Sequence, residues 1–516
     1  MATGIVLGAT LFGSRSAEDD LAAGILRIRE VLMYVQKDYV DTVNTKELTR
    51  QAIDGMLERL DPHSAYLPAE EQKLAESQLE GDFDGIGIEF VVTQDTIIVV
   101  APLSGGPSEK AGLRPGDRII EVDGKKLAGI RLTTNDVFGK LRGPKGSNVR
   151  LTVKRDNLPA LLNFALQRAE IPTHSVDASF MANKEVAYIK LSRFTETTDK
   201  EFSTALKLLI RQGATKLLID VRDNPGGYLD RAIHIADELL EDGRLIVYTD
   251  GKGTRYDSKY FASSKGMFEG KPVAVLINEG SASASEILAG ALQDNDRGLV
   301  IGRRSFGKGL VQLPISLADG GELRLTISRY YTPSGRSIQK PYSKDNIAAY
   351  EEDIEQRFDN GELYHEQTTN ADTTPYKTID GRTVFGGGGI KPDVFVPLDS
   401  AKNNMQINAL YNAYILQRLA IAYAERERKS LTAQGFGSYS GGFVAPAALL
   451  ASARAEAAKE KIKITDAQWA KVQPLLQQNF KALIARQAFG DNAYQRLEME
   501  QDNTYQEALS KLGKEK

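Results

Sequence analysis

Residues 278–312 read NEGSASASEILAGALQDNDRGLVIGRRSFGKGLVQ, and this stretch decides the fold class. An apolar run at 273–277 leads into it. Small residues from Gly280 to Ala284 follow, then a helical pattern from Ser285 to Gln293, a second apolar run at Leu299–Ile301 and a glycine turn, SFGKG. Strand, helix and strand in that order argue an α/β layer. Working outward, the alternation extends from about Pro172 to Pro397. Strands are expected at 186–191 and 216–221, and helices at 198–212 and 231–240. Residues 346–375 are acidic, polar and weakly periodic, and read as an insertion or mobile loop.

Chemistry concentrates at the turns. A strand-to-helix turn of small residues lifts a nucleophile such as Ser283 into a cleft, where N–H groups at the helix start hold a developing oxyanion. The same pattern, with Glu286 in the first helical turn, reads as a helix cap, and taken alone the cap is favoured. Lys308 shifts the balance. Buried beside Ser283 its ammonium would be desolvated, its pKa would fall, and the neutral amine could take the serine proton. Without Ser283 it would read as an anion-binding or surface lysine. A third glycine turn, DVRDNPGG at 220–227, follows another apolar strand, and Gly226 and Gly227 permit close backbone approach.

The flanks differ. Residues 17–80 are helical in pattern, with Leu21, Ile25, Ile28, Leu32 and Val35 on one spacing and Asp61-Pro62 ending a second run. His63, in DPHSAYL, reads as a structural residue at a helix end. From Gly81 to about residue 170 short strands alternate with glycine turns, and one helix fits 133–141. From residue 400 onward the chain is helical, broken by GFGSYSGG at 435–442, with helices at 447–460, 466–487 and 491–512.

Composition narrows the function. The chain has 516 residues, 41% hydrophobic and 26% charged, with a net charge of −4. That is soluble globular protein of several domains without a basic field for nucleic acid. There is no cysteine, and the four histidines form no zinc-ligand pattern. No metal or cofactor is expected. The apolar run Met1–Gly13 is too short to span a membrane. It reads as the tail of a signal or anchor helix within residues 1–16, or as an inconsequential leader.

On these residues the chain resembles the carboxyl-terminal processing, or tail-specific, proteases. The resemblance covers about 40–400. It rests on GSASASEI with the lysine of FGKGLVQ, on DVRDNPGG, on YYTPSGRSIQ at 330–339, on GGGGIKPD at 386–393 and on LDPHSAYL at 60–67. It implies a PDZ domain (81–170) before an α/β serine protease core (171–399), between a helical N-terminal region (17–80) and a helical C-terminal region (400–516) of expected assembly role. By position it makes Ser283 the nucleophile, Lys308 the general base, and Gln312 the residue that orients the lysine. The N–H groups of Gly227 and Ala284 become the oxyanion hole. GIGIEF, with EKAGLRPGDRIIEVDG at 109–124, makes Gly85, Ile86, Gly87 and Ile88 the loop and strand that take a peptide C-terminus. Arg168 is then either a coupling residue between PDZ domain and core or an ordinary surface arginine.

The implied partners are proteins with exposed C-termini, a second copy of the chain, and an adaptor. The implied place is the bacterial periplasm or envelope, with a possible N-terminal membrane anchor. Three other readings remain open: a Ser–His–Asp hydrolase using His174 or His234, a non-catalytic PDZ scaffold, and a regulated hybrid that works only with a partner or as an oligomer.

Overall fold

The computed structural model describes residues 17–77, 79–93, 95–103, 105–129, 134–155, 158–263, 265–343, 346–366, 374–399 and 404–515. The expected leader at 1–16 lies outside them. The six-stranded core sheet runs in the order Val176–Met181, Val186–Leu191, Lys216–Asp220, Val273–Ile277, Leu299–Gly302 and Val394–Phe395. Its first pair is antiparallel and the others are parallel. Parallel strands need cover on both faces, which is why these runs are continuously apolar.

Alternate residues then feed two separate cores. Ile189, Leu217, Ile219, Val273 and Val275 pack with Phe202, Leu206, Ile235, Ile287 and Leu288, from the helices Thr198–Arg211, Leu229–Asp237 and Ala284–Asp294. Tyr188, Leu218, Ala274, Leu276 and Ile301 face the other way, onto Tyr505, Ala508 and Leu512 of the helix Asn503–Lys514. The expected helix at 491–512 is therefore two helices, Asp491–Glu500 and Asn503–Lys514. Asp502 caps the second by accepting from the Tyr505 N–H at 2.8 Å, and also takes Arg222 Nη1 at 2.9 Å.

A second sheet is built on one long strand. Glu322–Tyr331 pairs with Leu310–Ser316, with Leu245–Gly251 and with the short strand Ala65–Leu67. The N-terminal region is thus not helical throughout, since Ala65–Leu67 belongs to this second sheet. Its helix Ala17–Asp38 stands clear, with Leu21, Ile25, Leu26, Ile28 and Val31 each half or more exposed.

The small β-rich domain orders its strands Ile88–Thr93, Thr96–Pro102, Arg118–Val122, Asn148–Lys154 and Leu162–Gln167, with the helix Thr134–Leu141 beside the first. Ile88–Thr93 is an edge strand.

The helices Met405–Asn412, Ile415–Gly442, Ala447–Lys459 and Asp466–Phe489 enclose their own core around Leu416, Ala420, Trp469, Leu476 and Phe480. The glycine-rich break reduces to a kink at Gly435 (φ 70°), because the glycines beyond it stay helical.

Residues 346–366 of the segment expected to be a loop are not a plain loop. They form two short helices, Ala348–Glu351 and Asp353–Asp359, anchored by buried Tyr350 and Arg357. Their polarity misleads because Arg357 is satisfied internally, donating to Ser305 O at 3.1 Å and to Glu362 Oε1 at 3.1 Å. Among the described residues no helix is long and apolar enough to cross a membrane.

Leu512 is fully buried between the last helix and the sheet. Leu512→Ala is expected to cost about 3 kcal/mol, read as a lower urea midpoint for unfolding of the core.

Candidate active site

Ser283 sits between the strand Val273–Ile277 and the helix Ala284–Asp294 with φ 55° and ψ −114°. A non-glycine residue in this region is strained and is held there only by its surroundings. Those surroundings are the 220–227 turn. Ala282 N–H and Ser285 Oγ both donate to Asn224 O at 3.0 Å, and Ser281 Oγ donates to Val221 O at 2.7 Å. The glycines explain how the two turns can touch. A Cβ on Gly226 would lie 2.8 Å from Ser283 Cβ, and one on Gly227 (φ +143°) would lie 2.0 Å from Phe194 O.

Glu286 was expected only as part of a cap. Its carboxylate is fully buried and is the hub of the site. One oxygen accepts from Ser283 N–H at 2.8 Å and Lys308 N–H at 2.9 Å; the other accepts from Gly307 N–H at 2.7 Å and Ser305 Oγ at 2.5 Å. Burial pushes its pKa up to about 7, against the pull of these four donors. The cap reading is therefore right about one bond, and the same carboxylate fixes the lysine turn. Tyr330 adds a second tie. Its buried hydroxyl reaches the carbonyls of Lys308 and, at 3.3 Å, Ser283.

The Lys308 pKa is lowered from the ordinary lysine value of 10.5, first by burial and then by Arg324, with Glu286 and Asp61 opposing. Ser283, Lys308, Gln312, Gly227, Tyr228 and Tyr330 line one cavity of about 540 Å³. Gly227 and Phe194 form a parallel bridge, in which Phe194 N–H donates to Gly226 O at 2.9 Å and Tyr228 N–H to Phe194 O at 2.8 Å. That pairing turns the Gly227 N–H away from Phe194. Ala284, first in its helix, has an N–H with no intrahelical acceptor. Two backbone donors beside Ser283 are thus left for a ligand oxygen.

Gln312 lies in the cavity, but its amide donates to Thr326 Oγ1 at 3.3 Å and not to Lys308. Thr326 Oγ1 in turn donates to Asp61 Oδ1 at 3.0 Å. Asp61 also takes the N–H groups of His63 and Ser64 at 2.8 and 2.9 Å. The stretch LDPHSAYL is thereby sewn to the strand behind the catalytic cavity.

His63 is more than a helix-end residue. Its ring Nε2 meets Tyr350 Oη at 2.7 Å, and burial plus the nearby Lys308 charge press its pKa down to about 4. His174 and His234 are exposed and pair with Glu201 and Asp199, outside the cavity, so the geometry gives no Ser–His–Asp arrangement.

In the small domain, the Ile86 carbonyl is occupied by Ser108 N–H at 3.0 Å and Oγ at 2.6 Å. Gly87 (φ +70°) turns the chain, and Ile88 starts the edge strand. Gly85 ends the strand Asp82–Gly85, which pairs with Ala169–Pro172. A groove of about 720 Å³ runs along the edge strand past Phe83, Leu103, Phe138 and Arg142.

Arg142, missed in the sequence, is a cation beside this groove, and its Nη1 donates to Ser77 Oγ at 2.6 Å. Its guanidinium lies 4.4 and 4.5 Å from the ring centroids of Phe83 and Phe138, and its Nε has no partner. The available signal was a basic residue straight after the expected groove helix.

Arg168 is no surface arginine. It is buried, and it donates to the carbonyls of Lys140, Leu141 and Asn148 and to Ser147 Oγ at 3.0 to 3.2 Å. These bonds stay inside the small domain, so it fastens the groove helix to the connector and does not reach the cavity.

Residues 185–349 match peptidase family S41, and 98–155 match a PDZ domain family. Residues 11–71 match the activating protease CtpB N-terminal domain, and 406–490 a family of unknown function. A carboxy-terminal-processing protease of Bartonella bacilliformis is 40% identical over 61% of this chain and 72% of its own. The carboxy-terminal processing protease CtpB of Bacillus subtilis is 38% identical over 63% of this chain and 68% of its own. Among solved structures, the photosystem II D1 C-terminal processing protease is similar at 28% identity and a TM-score of 0.37, covering 73% of this chain and 88% of that one.

The hub predicts a pH signature. The folded Glu286 value lies above that of a free carboxyl, so the unfolded chain releases its proton first. Stability therefore falls as pH rises from the model-peptide value of 4.5 through about 7. Glu286→Gln is expected to flatten that slope and, by facing an amide NH₂ toward N–H donors, to cost about 2 kcal/mol, both read from denaturant melts across pH.

Proposed function

Because the chain belongs to the carboxy-terminal processing protease family and is a serine-type peptidase with a PDZ domain before its S41 domain, we propose that Ser283 and Lys308 are its catalytic pair and that protein C-termini are its entry signal. One observation carries the first half. Ser283 and a desolvated Lys308 open into the same cavity, and one carboxylate fixes the backbone of both.

The neutral Lys308 amine takes the proton from Ser283 Oγ, and the oxygen attacks the scissile carbonyl. The N–H groups of Gly227 and Ala284 hold the oxyanion. The Lys308 ammonium gives its proton to the leaving amine as the C–N bond breaks; the neutral Lys308 amine then deprotonates the water that attacks the acyl-enzyme and passes that proton to Ser283 Oγ as the acyl C–O bond breaks. Gln312 orients the lysine in the loaded state by exchanging its bond to Thr326.

The tail pairs with the free edge at Ile88–Thr93 as an added strand, and its carboxylate meets the loop Gly85–Gly87 and Arg142. The desolvated Arg142 guanidinium, held between two rings and with an Nε that has no partner, supports this role. Arg168 holds the groove helix in place and so acts on the core only through the domain's shape.

The apolar face of Ala17–Asp38 supports assembly of copies of the chain or docking of an adaptor. Placement in the bacterial envelope, anchored at the N-terminus, rests on the apolar run Met1–Gly13 and the family resemblance.

Ser283→Ala and Lys308→Ala are each expected to lower kcat on an unstructured protein substrate by at least about 1000-fold, with melting midpoints unchanged. The acid limb of kcat/KM should report an amine titrating below the ordinary lysine value. A pH-independent rate, or full activity in Lys308→Ala, would sink the pair. For the groove, converting a tail peptide's carboxylate to carboxamide is expected to weaken binding about tenfold or more, measured by anisotropy on the Ser283→Ala chain, and Arg142→Met should erase most of that difference.

A further inference from the structure

The edge strand Ile88–Thr93 has two faces, and the C-terminal helices occupy one of them. Alternation along the strand sends Ile88, Phe90 and Val92 into the domain's own core beside the groove helix. Glu89 and Val91 point the other way. Val91 packs with Ile98, Val100, Tyr414 and Ile421, so this outer face is covered by the helix Ile415–Gly442.

Glu89 is gripped from the same module. Arg486 Nη1 and Nη2 donate to its two oxygens at 3.1 and 2.8 Å, while Arg486 Nε donates to Asp491 Oδ1 at 2.7 Å. Gly490 (φ 89°) ends the helix Asp466–Phe489 and sets Asp491 at the start of the next. Arg486 and Asp491 line the groove together with Ile88, Phe90 and Phe138.

We propose that the C-terminal helical module is the second wall of the tail-binding site and that Glu89, Arg486 and Asp491 select the tail residues that point away from the groove helix. This rests on strand addition at Ile88–Thr93. A strand added there alternates as its neighbour does, so every second side chain stands on the outer face beside Glu89. On an isolated domain that face would be solvent. Here it carries two carboxylates to one guanidinium, and Asp491 is largely exposed. The wall therefore favours a basic side chain at the second and fourth residues from the tail's end and disfavours an acidic one. Arg142, on the opposite wall between Phe83 and Phe138, donates one Nη to Ser77 Oγ and keeps an Nε without a partner for the terminal carboxylate.

The test uses the full Ser283→Ala chain and fluorescein-labelled tail peptides carrying Lys, Ala or Glu at those two positions. The parent should bind the Lys tail about threefold tighter than the Glu tail, the scale of a half-exposed charge pair. Glu89→Gln or Asp491→Asn should level the two, the double variant should invert the order, and Arg486→Met should widen the Lys preference. The same Lys-to-Glu ratio in all five proteins overturns the proposal. Equal binding of free-acid and carboxamide tails would instead overturn the underlying strand-addition reading. Opposite shifts in the double and Arg486→Met variants separate charge selection from simple loosening of the module, which would move both in one direction.

Discussion

A single buried carboxylate organises the catalytic end of this protein. Glu286 takes one bond from the Ser283 N–H and three from the turn that carries Lys308. A buried carboxylate is costly unless its oxygens are satisfied. The four donors must therefore stay in place, and with them the relative position of Ser283 and Lys308. The strained backbone of Ser283 depends on the same bonds. So does the lysine's environment, since its main chain is fixed while its side chain lies in a cavity that removes it from water. Tyr330 reinforces the link from the strand behind. The remaining chemistry is arranged around this pair: the Gly227 turn in front, the LDPHSAYL stretch behind.

Much of the core was legible because its signals are local. Runs such as 186–191, 216–221 and 273–277 are apolar throughout, which suits strands buried on both faces. The edge-strand domain was legible for a similar reason, from short strands and glycine turns. Ser283, Lys308 and Gly227 stood out because each sits in a glycine or small-residue turn at the end of an apolar strand. What sequence could not give is partnership across long separations. Glu286 looks like any helix-start glutamate until residues 305–308 fold onto it. Gln312 was assigned to the lysine, yet Thr326, tethered to Asp61, holds its amide. Arg142 and Arg168 sit near one another in sequence and are both basic. Only the packing separates the one sandwiched between two rings from the one that ties down a helix end.

The helical C-terminal region shows the same limit in another form. Its pattern announces helices and nothing more. In the structure it touches three places that matter: the outer face of the edge strand through Tyr414, Ile421 and Arg486; the back of the core sheet through Tyr505 and Leu512; and the base of the glycine turn through the Asp502–Arg222 pair. It is a brace spanning the PDZ domain and the protease core, and any change in the relative position of those two must be accommodated at Gly490 or across these contacts.

The clearance between Gly226 and residue 283 has a consequence for redesign. Gly226 has no room for a β-carbon of its own beside residue 283, and a branched residue is poorly tolerated at the positive φ of position 283 itself. A thiol could stand in for the hydroxyl without moving the chain. A threonine could not, so the chemistry of this site can be exchanged for sulfur but not for the secondary alcohol that other hydrolases use.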